Sequence, residues 1–145
     1  MDLLSTISDA WGWVGIKPDE VVGENDFGNL VIRDQDDRYW RLCPEDLYCK
    51  IIAENRAVLD ELSANQSFLR DWFVSSWVEA ARAKLGPLRP GYKYYFVIPP
   101  LLGGAYAADN MQQLSLRELV SVSGSLAHQI DGLPDGATIK LEVVP

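Results

Sequence analysis

Cysteine, histidine and basic side chains are all scarce in this 145-residue chain, and each scarcity excludes something. Two cysteines, Cys43 and Cys49, are too few for a disulfide scaffold, and they lack metal-ligand spacing with the single histidine, His128. Reduced, buried thiols in a cytosolic protein are the expectation. No apolar run approaches the roughly 20 residues that span a bilayer. The opening stretch MDLLSTISDAWGWVG carries Asp2 and Asp9 and no basic region, so it does not read as a signal peptide, and a cytoplasmic location is expected. Only 13 Lys and Arg face 21 Asp and Glu, which leaves a formal net charge of −8. Phosphate binding needs a basic face, so nucleic acid is a poor partner and a basic protein a better one.

The charge is uneven. The first 60 residues hold 13 acidic and 6 basic side chains, whereas the remaining 85 hold 8 and 7. A basic partner would therefore dock toward the N-terminal half. Hydrophobic residues at 48 % and charged residues at 23 % give an ordinary globular composition of about one domain, not a disordered tail, collagen or coiled coil.

Leu3, Leu4, Ile7, Trp11 and Val14 recur at helical spacing, and Gly12, Gly15 and Pro18 end that helix. Residues 17–26 read as an acidic loop. GNLVIR (28–33) and RYWRLC (38–43) flank the polar turn Asp34-Gln35-Asp36-Asp37 and predict a hairpin, with Leu30 and Ile32 on one face and Trp40 and Leu42 matching them. Residues 43–55 read as a turn followed by a strand. A short helix over 56–64 turns Val58, Leu59 and Leu62 inward. Ser67 is placed to cap a longer helix to about Lys84, buried on more than one side. YKYYFVI (92–98) predicts a central strand stopped by Pro99-Pro100, and 101–113 reads as an ordered loop. Ser115 through Glu118 has capping-box form and opens a helix to about Ile130 with Leu116, Leu119, Val120, Ala127 and Ile130 inward. Leu133-Pro134-Asp135-Gly136 is a turn, and TIKLEVV (138–144) alternates as a half-wet strand. Without βαβ alternation, the expected class is α+β: one domain, a mostly antiparallel sheet covered by helices. Residues 1–19 are expected as an N-terminal helical arm and 20–145 as the domain itself.

Enzyme signatures are weak. His128 lies away from the inner face of its helix and reads as an exposed residue near a helix end. The Gly103-Gly104 loop lacks the Lys-Ser/Thr of a phosphate loop and the third glycine of a dinucleotide fingerprint, so glycine there fits a backbone turn. The acidic cluster Glu24, Asp26, Asp34, Asp36 and Asp37 has no EF-hand spacing and reads either as a solvated face or as a docking surface for a basic protein. Trp11, Trp13, Tyr39 and Trp40 lie in or beside that acidic half, and aromatic anchors within an acidic rim are a recurrent interface arrangement.

DFGNLVIRDQDDRYWRLCPEDLYC (26–49), LGPLRPGYKYYFVIPPLLGGAYAADN (85–110) and SGSLAHQIDGLPDGATIKLEV (123–143) together resemble the C-terminal domain of type VI secretion DNase-immunity proteins. The resemblance spans roughly residues 20–144. Its most specific parts are Phe27-Gly28-Asn29, Trp40 through Cys43-Pro44-Glu45, Leu102-Gly103-Gly104-Ala105-Tyr106 with Asn110, and the Leu133-Pro134-Asp135-Gly136 turn. It implies a cytosolic immunity protein with no cofactor, metal or membrane partner, which binds a toxin injected by sister cells. The toxin-binding residues expected on this reading are Glu24, Asp26, Asp34, Asp36, Asp37, Glu45 and Asp46, with Tyr39 and Trp40 as anchors and the hairpin-tip aspartates as phosphate mimics. Immunity to a non-nuclease toxin such as an ADP-ribosyltransferase, and an enzyme or small-ligand binder built on the Gly103-Gly104 loop, are the alternatives.

Overall fold

The hairpin forms the middle of a four-stranded antiparallel sheet. The computed structural model describes residues 2–133. Strands β1 (Pro18–Glu24), β2 (Leu30–Asp34), β3 (Tyr39–Cys43) and β4 (Tyr48–Ala53) lie side by side in chain order. Leu30 opposes Leu42 and Ile32 opposes Trp40, as the alternation requires. Residues 17–26 are the first departure, because most of that acidic stretch is β1 and not a loop. Two bulges, between Pro18 and Glu20 and between Val21 and Gly23, break its alternation and hide it from a period-2 reading. Such bulges also suit an edge strand, since they blunt pairing with another chain.

Helices cover both faces of the sheet. α1 (Leu3–Trp11) and α5 (Leu116–Ile130) lie on one side, where Ile7, Trp11, Val120 and Ala127 pack with Leu30, Ile32, Trp40 and Leu42. Asp2 caps α1 by accepting from Ser5 N at 2.7 Å. Ile7 and Trp11 are fully buried, so the N-terminal helix is part of the same core as the sheet, and the expected boundary at residues 19 and 20 falls inside β1. On the other side α2 (Arg56–Ser63) and α3 (Gln66–Phe73) bring Leu59 and Trp72 onto Val31, Tyr39 and Ala53. Val58, expected inward, is exposed.

The long helix expected over 67–84 is two helices. Asn65, not Ser67, caps α3 by accepting from Phe68 N at 3.0 Å. Val74 then turns left-handed (φ 42°) and α4 runs Ser75–Leu85. The break has a packing reason: Trp72 of α3 serves the sheet, whereas Ala81 and Trp77 of α4 join a second cluster with Phe27, Tyr94, Phe96 and Met111. Phe73, beside the break, is 58 % exposed, so burial on several sides does not hold there.

β5 (Tyr92–Phe96) is not central. It pairs with β6 (Met111–Ser115), whose first three residues fall in the stretch 101–113 expected as loop. Away from β6, β5 reaches the turn between β1 and β2 through Tyr94 N, which donates to Asp26 O at 2.9 Å. Ser115 caps α5 as its capping box predicts, with Glu118 N donating to Ser115 Oγ at 3.3 Å and Ser115 Oγ donating to Glu118 Oε1 at 3.0 Å. The α+β class, with a mostly antiparallel sheet under helices, stands. The strand expected at 138–144 lies outside the described residues.

Candidate functional site

At one end of the sheet, the turn 34–37 is organised from within by Asp34. Its Oδ1 accepts from Asp36 N at 2.8 Å and Arg38 N at 2.9 Å, while Oδ2 accepts from Arg38 Nε at 3.0 Å and Trp40 Nε1 at 2.8 Å. Asp34 is only 2 % exposed. Burial pushes its carboxyl upward, but the Trp40, Arg38 and Asp36 hydrogen bonds outweigh that and hold it below the usual carboxylate range. Asp34 therefore does not sit on the exposed tip as a phosphate mimic. Tyr39 and Trp40 are likewise buried. They point to opposite faces of β3, and helices cover both faces, so neither is available as a surface anchor. Asp36 and Asp37 remain exposed at the tip. Arg33 ties this end together, reaching Asp19 at 2.7 Å and Glu20 at 3.0 Å.

At the other end Phe27-Gly28-Asn29 makes the β1–β2 turn. Asn25 Oδ1 accepts from Phe27 N and Asn29 N at 3.0 and 2.9 Å. Gly28 has φ 73°, so the backbone calls for glycine, and a Cβ there would press on the end of the Leu119 side chain, 2.5 Å from Cδ2. Asn29 is fully buried and works in two directions. Its Oδ1 accepts from Arg41 Nε and Nη2 at 3.1 and 2.9 Å, and its Nδ2 donates to both Glu45 oxygens at 3.0 and 2.9 Å. Arg41 also pairs with Asp71 and lies 5.2 Å over the Trp72 ring. Glu45 is 6 % exposed, and burial raises its carboxyl above the ordinary range. It is an internal group of the turn, not part of an open acidic surface. Asp46 beside it is exposed, Asp26 is half-buried, and exposed Glu24 pairs with Lys93 at 3.1 Å.

The nine expected residues thus do not form one patch. Asp36 and Asp37 cap one end of the hairpin, and Glu24, Asp26 and Asp46 lie at the other, separated by the length of β2, roughly 13 Å. The Asn29–Arg41–Asp71 network was not anticipated. Its members lie 12 and 30 residues apart, so no local pattern joins them. The motif residues Phe27-Gly28-Asn29 and Cys43-Pro44-Glu45 were the available signal.

Between β5, α5 and the 44–47 turn opens an apolar cavity of about 60 Å³, with Phe27, Leu47, Val97, Val122 and Leu126 in its lining and Glu45 in its wall. Both thiols are buried, and desolvation pushes Cys49 up to about 12 and Cys43 higher still, so neither is a nucleophile at neutral pH. His128 is exposed, as expected, and stacks on Trp13 with ring centroids 4.5 Å apart. In the 99–106 loop a Cβ on Gly104 would lie 1.8 Å from Ile98 O. Asn110 clasps that loop, accepting from Ile98 N at 3.0 Å and donating to Ile98 O and Ala105 O at 2.8 and 3.0 Å. The motif Leu102 through Tyr106 with Asn110 is thus accounted for by packing: the backbone at Gly104 and Asn110, and side chains at Leu102, against the first core, and Tyr106, stacked on Trp77. Among the described residues, no group of three metal-ligating side chains converges, and no helix is long and apolar enough to cross a membrane.

Residues 53–127, just over half of the chain, match the family model described as T6SS immunity protein Tdi1, C-terminal. The chain belongs to this type VI secretion (T6SS) immunity family. The match begins in the last residue of β4, so the hairpin lies ahead of it and the matched segment is shorter than the 20–144 stretch on which the resemblance was read. No curated protein matches. The fold is similar to the crystal structure of Atu4351 from Agrobacterium tumefaciens, with a TM-score of 0.53 and 15 % identity over 83 % of this chain and 62 % of that one. The chain therefore spans less than two thirds of that relative, and at this identity the likeness is one of fold. Within the family segment lie Asp71 and Trp72 of the buried network, the Asn110 clasp, and most of α5, whose Leu119, Val122, Ser123 and Leu126 line the cavity.

Proposed function

We propose that this immunity-family chain protects its cell by binding a toxin directly, one to one, and covering the groove through which that toxin grips its substrate. The observation that carries the reading is electrostatic. The family supplies a toxin as partner, and the chain is acidic, with its excess in the first 60 residues and exposed carboxylates at both ends of the sheet. A nuclease must present positive charge to phosphate, so an acidic body is drawn to its substrate groove and associates fast at low salt. The site residues in this reading are Asp36 and Asp37 at one end and Glu24, Asp26 and Asp46 at the other, held in place by Asp34 and by Asn29 with Glu45. Charge sets the encounter rate, while tight holding needs buried contacts.

The test is a titration. The purified chain is added to the toxin encoded beside it, and complex mass and toxin activity are followed together. Inhibition complete at one chain per toxin, with a complex of that composition, is the expected result. Full protection at far below one equivalent would replace binding by catalysis, and inhibition without a complex would remove direct contact.

A further inference from the structure

The apolar cavity beside Glu45 has a feature that packing alone does not explain. A carboxylate can accept about four hydrogen bonds. Asn29 Nδ2 serves both Glu45 oxygens, and the Glu45 amide and the Cys43 thiol support the charged form, yet burial outweighs all three. Of the other polar side chains of the lining, Ser123 is spent on its own helix, donating to Leu119 O at 2.7 Å, and Tyr95 makes no side-chain hydrogen bond to Glu45 among the described residues. Arg41 is near but committed to Asn29 Oδ1 and Asp71. A carboxylate 94 % buried thus stands in the wall of an open apolar cavity with no salt bridge to a cation among the described residues, and exposed Asp46 lies next to it in the chain.

We propose that this cavity takes a lysine or arginine side chain of the toxin, with Glu45 as its counter-ion. The class follows from the shape and charge. Phe27, Leu47, Val97 and Leu126 offer walls for a methylene stem, the volume of about 60 Å³ suits a few heavy atoms and not a cofactor, and the single charged group in the lining is negative. A long cationic side chain buries its stem and presents its head to the carboxylate. Such a desolvated pair is the kind of contact that slows dissociation, which exposed aspartates do not. The proposal rests on the toxin-binding reading for the source of the side chain, but the cavity's chemistry can be probed without any toxin.

The probe is n-butylammonium, a lysine side chain cut free, with n-butylguanidinium as the arginine counterpart and 1-butanol as the uncharged control. Each is titrated into the full chain while the methyl resonances of Val97, Val122 and Leu126 are followed. At least one cation should shift them saturably, at least tenfold more tightly than 1-butanol, and at least tenfold more weakly in Glu45→Gln. Val122→Trp, on the exposed face of α5 at the cavity mouth, leaves Glu45 and its partners alone and should also abolish the shifts. Absence of cation binding, equal binding of 1-butanol, or unchanged binding in Glu45→Gln overturns the site. A second arm measures toxin dissociation from the same folded variants, expected to be at least tenfold faster. Cation binding lost with toxin dissociation unchanged also overturns the proposal, yet leaves toxin binding standing, and a wild-type chain that ignores the toxin fails the broader reading instead.

Discussion

Asp34 and Trp40, six residues apart across the β2–β3 turn, hold each other: the indole N–H donates to the carboxylate at 2.8 Å, and both side chains are buried. One relationship removes two expected surface residues and explains why they occur together. The turn needs an internal anion to collect Asp36 N, Arg38 N and Arg38 Nε, and the indole completes its shell.

Asp34→Ala should therefore destabilise the fold by about 2–3 kcal/mol, because it orphans a buried indole N–H and two turn N–H groups at once. Urea denaturation checks it. The pH dependence has a definite sign. The folded-state carboxyl sits below its ordinary value of 3.8, so its stabilisation is complete above that value and is lost as pH falls through the lower folded one. The stability gap between wild type and Asp34→Asn should be constant near pH 7 and shrink below about pH 4. A gap that ignored acid would mean that the charge on Asp34 contributes nothing.

Gly104 tests the glycine loop. A Cβ there meets the Ile98 carbonyl at 1.8 Å and Asn110 Nδ2, which donates to that carbonyl, at 2.8 Å, so the clasp as well as the backbone would have to move. Gly104→Ala should cost about 3 kcal/mol or more, while Ala105→Ser, at an exposed neighbour, should cost under about 0.5 kcal/mol. Thermal melts of the two variants suffice. A near-neutral Gly104→Ala would reopen the loop to roles other than packing.

How much of this was legible in the sequence divides along physical lines. The hairpin, α1 and α5 were readable because local signals agreed: alternation and a polar turn, helical spacing, and a capping box at Ser115. β1 was hidden because an edge strand with two bulges keeps neither alternation nor an apolar face. The break at Val74 was hidden because a β-branched residue in the left-handed region carries no glycine or proline signal. Two separate cores, not propensity, demand it. The candidate site failed at exposure. Composition shows that Trp40, Tyr39 and Asp34 are aromatic or acidic, but not that helices on both faces of β3 bury them. The Asn29–Glu45 contact, which shapes the cavity wall, joins turns 16 residues apart and has no local trace beyond its motifs.

The two acidic ends should separate in kinetics. Asp37 has φ 61°, a conformation asparagine tolerates, so Asp36→Asn with Asp37→Asn removes charge while keeping the turn. If the hairpin tip faces the toxin, the pair should slow association several-fold at low salt, flatten its salt dependence and leave dissociation nearly unchanged. Asp46→Asn makes the same test at the other end. Stopped-flow association across ionic strengths reads both, and rates equal to wild type for one variant exclude that end from steering.

Glu45→Gln should raise stability while weakening the cavity's hold on a cation. Burial is the main cause that lifts the Glu45 carboxyl above its ordinary value of 4.5, with neighbouring Asp46 adding to it, while its hydrogen bonds, among them that from Asn29, pull it back only in part. For an acid raised in the folded state the sign reverses relative to Asp34. The penalty is absent below the unfolded value, grows as pH rises through the folded one, and is full above it. Glutamine keeps the shape and can still meet Asn29, but carries no charge to desolvate. At pH 7 the variant should therefore gain on the order of 1 kcal/mol, a few degrees in Tm, and the gain should vanish near pH 4. Melts from pH 4 to 8 on both proteins make the measurement. A variant less stable than wild type across that range would mean that the carboxylate is already fully satisfied inside the fold, and the cavity would lose its reason to attract a cation.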